Sequence, residues 1–188
     1  TQQGLIPVEN ASALFLGDRE GHHTSGSAIT AILEGTRPML LEVQALAAKA
    51  GFGTPQRVAG GYDARRLALL LAVLDKRAGL SFANLDVFLN VVGGVRMQEP
   101  AGDLAVAAAL ASSVYDKTLP ADAVFVGEVG LGGEIRAVSQ VERRSAEAEK
   151  MGMKTAYVGE RSVPRRAPNS IRWEGVPSLG DLFKRLFR

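Results

Sequence analysis

The sequence predicts an α+β fold in which a mixed sheet packs against helices. Extended segments follow one another in the first part of the chain, and strands alternate with helices in the second part, an order typical of that class. The 188 residues are 46% hydrophobic, which is enough apolar material for one substantial core. We therefore predict a single domain over residues 1–188, with a loose lead-in over 1–11 and a globular part over 12–187.

The first segments predict an antiparallel meander. Residues 12–18 (SALFLGD) and 25–35 (SGSAITAILEG) look extended, and residues 38–46 (PMLLEVQAL) continue in the same way. Between the last two segments, residues 35–38 (GTRP) have the composition of a turn. Strands joined by such a short turn pair with each other, so these segments begin the sheet.

A glycine-rich loop then leads to the first long helix. Residues 51–61 are predicted to be a loop with a short strand at its end. Asp63 stands at the N-cap position, and leucines with a valine at helical spacing predict a helix over 64–77. Gly79 then ends this helix.

The middle of the chain predicts a buried strand and a closely packed helix. Residues 86–92 (DVFLNVV) are β-branched and aromatic, and they predict a strand buried on both faces that ends at Gly93 and Gly94. A helix is predicted from about Gly102 to Tyr115. Its many alanines leave little side-chain bulk, which suits a helix packed between a sheet and other helices.

The rest of the chain alternates strands and helices. The predicted elements are a strand over 123–130, a hairpin turn over 131–133, a strand over 134–138, a charged helix over 141–151, strands over 154–159 and 170–176, and a helix over 178–187. This alternation completes the α+β prediction.

Composition excludes several kinds of protein. No apolar run approaches the roughly 20 residues of a membrane span, and the first residues lack the basic-then-apolar order of a signal peptide. The chain contains no cysteine, which rules out disulfides, a thiol nucleophile and a thiolate zinc site. We expect a cytoplasmic protein.

Charge is unevenly distributed along the chain. Residues 1–160 hold 15 Lys and Arg against 18 Asp and Glu, whereas residues 161–188 hold 7 against 2. The basic segment 161–188 has three possible roles, a solubilising surface, part of a binding surface or a contact with a neighbouring subunit, and the sequence does not choose among them.

Motifs for nucleotide hydrolysis and metal binding are absent from the sequence. None of the six lysines follows a glycine, as a P-loop requires, and the glycine-rich residues 127–133 lie between two predicted strands, which favours a hairpin turn. His22 and His23 are adjacent and cannot readily share an ion on a strand, so no metal ligands are predicted. No GxSxG motif occurs, and Ser25 and Ser27 alternate as residues on a solvated strand face do.

The sequence contains NVVGG (90–94) before a helix entry of a proline and small residues, then FVGEVGLGGEIRAV (125–138), a helix and KTAYVGE (154–160). In this order, these segments resemble the proteolytic domain of the Lon family. The sequence also contains VFLNVVGGV (87–95), AGDLAVAAALASS (101–113), GEVGLGGEIR (127–136) and SAEAEKMGMK (145–154). This combination more narrowly resembles the C-terminal Lon-like domain of the RadA family, also called Sms, of bacterial DNA-repair ATPases related to RecA. The resemblance covers most of residues 12–186 and implies the Lon proteolytic-domain fold, which is like domain 2 of ribosomal protein S5.

The resemblance also implies that the proteolytic dyad is lost. Lon-family proteases use a serine after a proline and a lysine on a later helix, and the resemblance places Pro100 on that proline, Ala101 on that serine and Glu142 on that lysine, with Arg143 beside it. Alanine has no nucleophile, glutamate reverses the charge, and arginine stays protonated in proteins. We therefore predict no catalytic residue and no enzymatic activity in this domain, with residual Ser-Lys peptidase activity as an alternative.

RadA-like proteins, as the resemblance implies, add an N-terminal zinc-binding module and a RecA-like motor to this domain. They drive branch migration of recombination intermediates as hexameric rings, alongside RecA. The resemblance implies single-stranded and branched DNA, RecA and further copies of the chain as partners, with no membrane. ATP with Mg²⁺, and Zn²⁺, are expected only in the other parts of the full-length protein, and no cofactor is expected here.

Arginines near the positions of the lost protease machinery are predicted to bind DNA phosphates. The predicted DNA-binding residues are Arg37, Arg96, Arg136, Arg57 and Arg66. Structural alternatives stay open: Arg37 could pair with Glu34, Arg136 with Glu134 or Glu128, and Arg66 could lie on a solvated helix face. A further alternative is a purely structural domain that holds subunits together without touching DNA.

Overall fold

A seven-stranded mixed sheet and a separate two-stranded hairpin make up the β-structure of the computed structural model. The strands are β1 (Ser27–Glu34), β2 (Arg37–Lys49), β3 (Arg57–Gly60), β4 (Leu85–Val91), β5 (Ala123–Val126), β6 (Glu128–Val129), β7 (Ile135–Arg136), β8 (Thr155–Gly159) and β9 (Arg172–Val176). The order in the large sheet is β3-β4-β2-β1-β5-β8-β9, and β6 pairs with β7.

The structure describes residues 12, 24–51, 53–166 and 170–187. Three features considered in the sequence lie outside the described residues. They are the predicted lead-in over 1–11, residues 13–18 of the predicted strand over 12–18, and the pair His22 and His23.

Strand β2 runs against the other six strands of the large sheet. It pairs antiparallel with β1, where Glu34 lies opposite Arg37, and antiparallel with β4, where Val43 lies opposite Val91. The pairs β3–β4, β1–β5, β5–β8 and β8–β9 are parallel. The predicted antiparallel pairing of the segments on either side of the Gly35 turn is confirmed, as is the mixed α+β architecture.

Four helices of eight or more residues pack on the sheet in the described part of the chain. They are α1 (Ala64–Ala78), α2 (Asp103–Tyr115), α3 (Val141–Lys150) and α4 (Leu179–Leu186). Asp63 caps α1 as predicted, because its carboxylate accepts a hydrogen bond of 2.8 Å from the Arg66 amide. Gly79 ends α1 in the left-handed conformation, with φ +68°.

The core has two layers on opposite faces of the sheet. Helices α1, α2 and α4 cover one face, and α3 covers part of the other. Helix α2 is buried over ten consecutive residues, Asp103–Ser112, between the sheet and the helices α1 and α4. The alanines that predicted close packing of this helix are therefore explained by its position.

The prediction that the strand over 86–92 is buried on both faces is wrong. Strand β4 is buried on one face only, because Val87, Leu89 and Val91 point to the core while Phe88 and Asn90 are exposed. Helix α3 packs over β1 and β2, and its apolar cluster extends over β5 and β8 but not over β4. An apolar run alone does not show which face a helix covers.

The predicted strand over 123–130 is interrupted at Gly127. The Gly127 amide donates to the Ala101 carbonyl at 2.8 Å, and the Gly127 carbonyl accepts from the Leu104 amide at 3.1 Å. These bonds take the backbone out of the sheet, so β5 ends at Val126 and the chain continues as the β6–β7 hairpin. The predicted strand over 134–138 is correspondingly reduced to Ile135–Arg136.

Candidate nucleic-acid interface

One edge of the large sheet collects the loops that carry most of the predicted arginines. Strands β3, β4, β1, β5, β8 and β9 all end at this edge and β2 begins there, because only β2 runs in the opposite direction. We call this side of the sheet, at which the six parallel strands end, the carboxyl edge. Seven strands give it a width of roughly 29 Å at the usual spacing of about 4.8 Å between neighbours.

Arg37 and Arg96 are the two freest of the predicted cations. Arg37 starts β2, and Arg96 follows the short turn after β4, so both lie at the carboxyl edge. Both side chains are exposed, and neither makes a hydrogen bond or ion pair with any residue that the structure describes. The alternative pairing of Arg37 with Glu34 is therefore not formed.

The loop that carries Arg96 is held in place by backbone contacts. The Met97 amide donates to the Gly61 carbonyl at 2.7 Å, which ties the loop to the end of β3. Gly61 has φ +76°, and a Cβ there would lie 2.5 Å from the Val95 carbonyl oxygen, so only glycine fits. Arg96 lies between two clefts, one beside Glu34 and the other beside Arg65.

Arg66 is engaged inside the protein. Its guanidinium grips the Asp103 carboxylate through two nitrogens, with Nε to Oδ1 at 2.6 Å, while Asp103 is 2% exposed. The Tyr62 hydroxyl donates to the same carboxylate at 2.7 Å, and burial together with Asp103 raises the pKa of Tyr62 above its ordinary range. The Val129 amide donates to it as well, at 3.2 Å. This network joins α1, α2 and the β6–β7 hairpin.

Arg65 is a cation that the sequence interpretation missed. It is exposed, lines the same cleft as Arg96 and has no hydrogen-bonding or ionic partner among the residues that the structure describes. Consecutive arginines in the first turn of a helix point in different directions. The pair Arg65-Arg66 thus contained the signal, and the outward-facing member is Arg65.

Arg136 lies on the hairpin that leaves β5 at the carboxyl edge, and it is already paired. It donates to Glu134 at 2.8 Å and approaches Glu128 at 3.9 Å, while its side chain stays 57% exposed. Hydrogen bonding within the hairpin lowers the pKa of Glu134. The structural alternative considered for Arg136 is therefore formed, although the guanidinium remains accessible.

Arg57 lies away from this group. It begins β3, at the opposite edge of the sheet, and its guanidinium donates to the backbone carbonyls of Gln56, Leu85 and Phe82. These bonds fasten the loop before β4 to β3.

Ala101 lies in a buried corner between β4 and α2. It is 1% exposed and packs with Ile29, Ala31 and Ala148. A methyl group is all that this position presents, so the corner holds no nucleophile at Ala101. The Pro100–Gly102 turn instead joins the loop after β4 to α2, and its Ala101 carbonyl accepts a hydrogen bond from Gly127, the residue after β5.

The α3 side chain that reaches this corner belongs to Arg144 and not to Glu142. Arg144 is fully buried and grips the Glu99 carboxylate through both terminal nitrogens, with Nη1 to Oε2 at 2.8 Å. It also donates to the carbonyls of Ala31 and Ser139. Glu142 is exposed, as is Arg143. The helical spacing of Arg144 from buried Ala148 was the signal that it faces inward.

The described residues contain no cluster of three His, Asp or Glu side chains suited to a metal ion. Within the same residues, no helix is both long and apolar enough to span a membrane.

Nearly the whole chain is similar to one part of a known protein. It is 48% identical to the DNA repair protein RadA of Escherichia coli (strain K12) over 181 aligned residues. The alignment covers 96% of this chain and 39% of that protein. It is 51% identical over 185 residues to the DNA repair protein RadA of Bacillus subtilis (strain 168), covering 97% and 40%. The identity to the DNA repair protein RadA of Streptococcus pneumoniae (strain ATCC BAA-255 / R6) is 45% over 185 residues, and that alignment covers 98% of this chain and 44% of the relative. The chain thus spans about two-fifths of the length of these relatives, and no family model matches it.

Proposed function

From its homology to one part of the DNA repair protein RadA, we infer that this chain is a DNA-binding domain that grips phosphates along the carboxyl edge of its sheet. The observation that carries the proposal is the position of Arg37, Arg65 and Arg96, which lie at one edge with their guanidinium groups unpaired among the described residues. Unpaired arginines on a single edge form a local cationic track in a chain whose formal net charge is only +2.

Contacts of this kind are non-specific. Arginine binds a phosphate through its planar pair of N–H groups, and each contact releases condensed counterions from DNA. Binding then weakens steeply with salt and depends little on base sequence. Single-stranded and branched DNA are the proposed ligands.

We expect Arg37→Ala, Arg65→Ala and Arg96→Ala each to reduce the slope of log K against log salt concentration by about one, with weaker binding to every sequence. Fluorescence anisotropy of a labelled oligonucleotide, titrated at several salt concentrations, measures both quantities. Lys76→Ala and Lys154→Ala are matched controls, because these exposed lysines lie at the opposite edge of the sheet, where α1 ends and β8 begins, and their removal costs the same charge. Equal effects of the controls and the three variants would mean that charge alone matters, and no effect of any variant would reject the interface.

In a longer protein, the proposed role is support of ATP-driven branch migration. The domain would hold DNA and scaffold a hexameric ring, RecA would act alongside it, and the sites for ATP with Mg²⁺ and for Zn²⁺ would lie in parts that this chain does not contain.

A purely structural role is the second candidate. Leu69 on α1 and Leu131 at the tip of the β6–β7 hairpin are 55% and 67% exposed, and a contact between subunits in a closed ring would cover such side chains. Light scattering together with the DNA titration separates the candidates. A ring without affinity for DNA supports scaffolding alone.

Residual peptidase activity is the third candidate, and we expect none. A serine-reactive fluorophosphonate probe should leave the chain unlabelled, because the buried corner presents the methyl group of Ala101 and Arg144 is held in an ion pair. Mass spectrometry of the treated protein detects any adduct. Labelling of any serine would contradict the absence of a nucleophile.

A further inference from the structure

The open face of β2, β4 and β3 carries a row of exposed apolar side chains. Leu46 lies opposite Phe88 in the antiparallel pair, and Val58 lies beside Phe88 in the parallel pair. Leu46 is 57% exposed, Val58 48% and Phe88 36%. Three large apolar side chains in one row are more than the scattered exposure found on ordinary surfaces, so this row indicates a binding surface.

The row lies in a groove without charge. None of its twelve lining residues is charged, and its polar groups are amides and hydroxyls, including Gln44, Asn90 and Ser25. One carboxylate on this face, Glu42, is 9% exposed and accepts hydrogen bonds from Ser27 Oγ at 2.7 Å and from Gln44 Nε2 at 3.0 Å.

Carboxylates at the rim of the groove are also occupied. Asp86 accepts from the Gln56 amide at 2.7 Å, and Asp116 accepts from Ser25 Oγ at 2.7 Å. Cations lie beyond both ends, with Arg96 at the carboxyl edge and Lys49 at the opposite edge. Neutral rings therefore fit the uncharged groove, and the anionic backbone of the same ligand would lie toward Arg96 and Lys49 and away from these carboxylates.

We propose that this groove binds an unpaired nucleic-acid strand, with a base stacked on the Phe88 ring and base edges hydrogen-bonded by the Gln44 and Asn90 amides. The proposal rests on the proposed DNA-binding function. Three apolar side chains are too few for a stable protein interface, which buries about 800 Å² on each partner. A base is smaller, and base–aromatic stacking needs only one ring, whatever the sequence.

Phe88→Leu tests stacking, because it keeps an apolar side chain of similar size and removes the ring. We expect this variant to weaken binding of the 188-residue chain to labelled oligo-dT by about tenfold, with unchanged salt slope and unchanged binding to a duplex. Phe88→Trp should retain oligo-dT binding, and Tyr115→Leu, which removes an exposed ring from α2 on the other side of the sheet, should not alter it. Anisotropy titrations give the affinities, and circular dichroism checks that each variant is folded.

The outcomes separate this proposal from the function on which it rests. If the variants at Arg37, Arg65 and Arg96 weaken DNA binding and Phe88→Leu does not, the groove proposal fails and the phosphate track stands. If none of the variants matters, both fail. If Phe88→Leu lowers the mass of an assembly in sedimentation equilibrium and leaves oligo-dT binding unchanged, the groove is a protein interface and the proposal is overturned.

Discussion

Glu99→Leu is expected to lower the free energy of unfolding by about 3–5 kcal/mol, the usual cost of leaving a buried charge without its partner. Arg144 has no exposed surface, and Glu99 is the only carboxylate that its guanidinium contacts among the described residues. Glu99 also accepts a hydrogen bond from the Leu33 amide at 2.8 Å, so its loss releases β1 as well. Urea unfolding followed by circular dichroism measures the change.

A double-mutant cycle isolates the ion pair. Arg144→Met should be similarly costly, and the double variant Glu99→Leu/Arg144→Met should cost less than the sum of the two, because no charge is left buried. Glu142→Leu and Arg143→Met are matched controls, because both residues are exposed on α3, the helix that carries Arg144. We expect the free energy of unfolding of each control to stay within about 0.5 kcal/mol of that of the parent. A cost below 1 kcal/mol for Glu99→Leu would show that the buried pair is not needed for stability.

The Glu99–Arg144 pair explains why the Ala101 corner keeps its shape without a nucleophile. Through Arg144 it connects α3 with β1, and through Glu99 it holds the residue before Pro100. The ion pair therefore fixes the residue before the Pro100–Gly102 turn against β1 and α3. An arginine held in this way is a structural residue and not a proton acceptor.

Local signals in the sequence predicted the helices well. Asp63 and Gly79 marked the ends of α1 because capping depends on residues within one turn of each other. The alanines of α2 predicted its close packing for a similar reason, since side-chain bulk is a property of the residue itself.

Contacts between distant parts of the chain were beyond such signals. The exposure of Phe88 depends on where α3 packs, and the interruption at Gly127 depends on hydrogen bonds with Ala101 and Leu104. Arg144 finds Glu99 45 residues away, so alignment to the motif of a family directed attention to Glu142 instead. The partners of these residues become visible only when the sheet is assembled.

The neighbours Arg65 and Arg66 provide the sharpest separation between structural and binding arginines. Arg66→Ala is expected to lower the free energy of unfolding by about 3 kcal/mol, because Asp103 remains as a buried carboxylate without its cation. Arg65→Ala removes an exposed side chain with no partner among the described residues and should change stability by less than about 0.5 kcal/mol. Urea unfolding of the two variants under identical conditions gives the comparison.

The expected order is reversed in DNA binding. Arg65→Ala should reduce the salt slope by about one. Arg66→Ala should reduce the slope by less than half as much, when it is measured at a temperature well below the thermal unfolding midpoint of that variant. The reason is that the Arg66 guanidinium is already paired with Asp103, whose negative charge offsets the positive charge of the arginine. Asp103→Asn supplies the converse test, since it frees the Arg66 charge and should steepen the salt dependence. A slope that falls for Arg66→Ala as much as for Arg65→Ala, without loss of stability, would place Arg66 on the DNA after all.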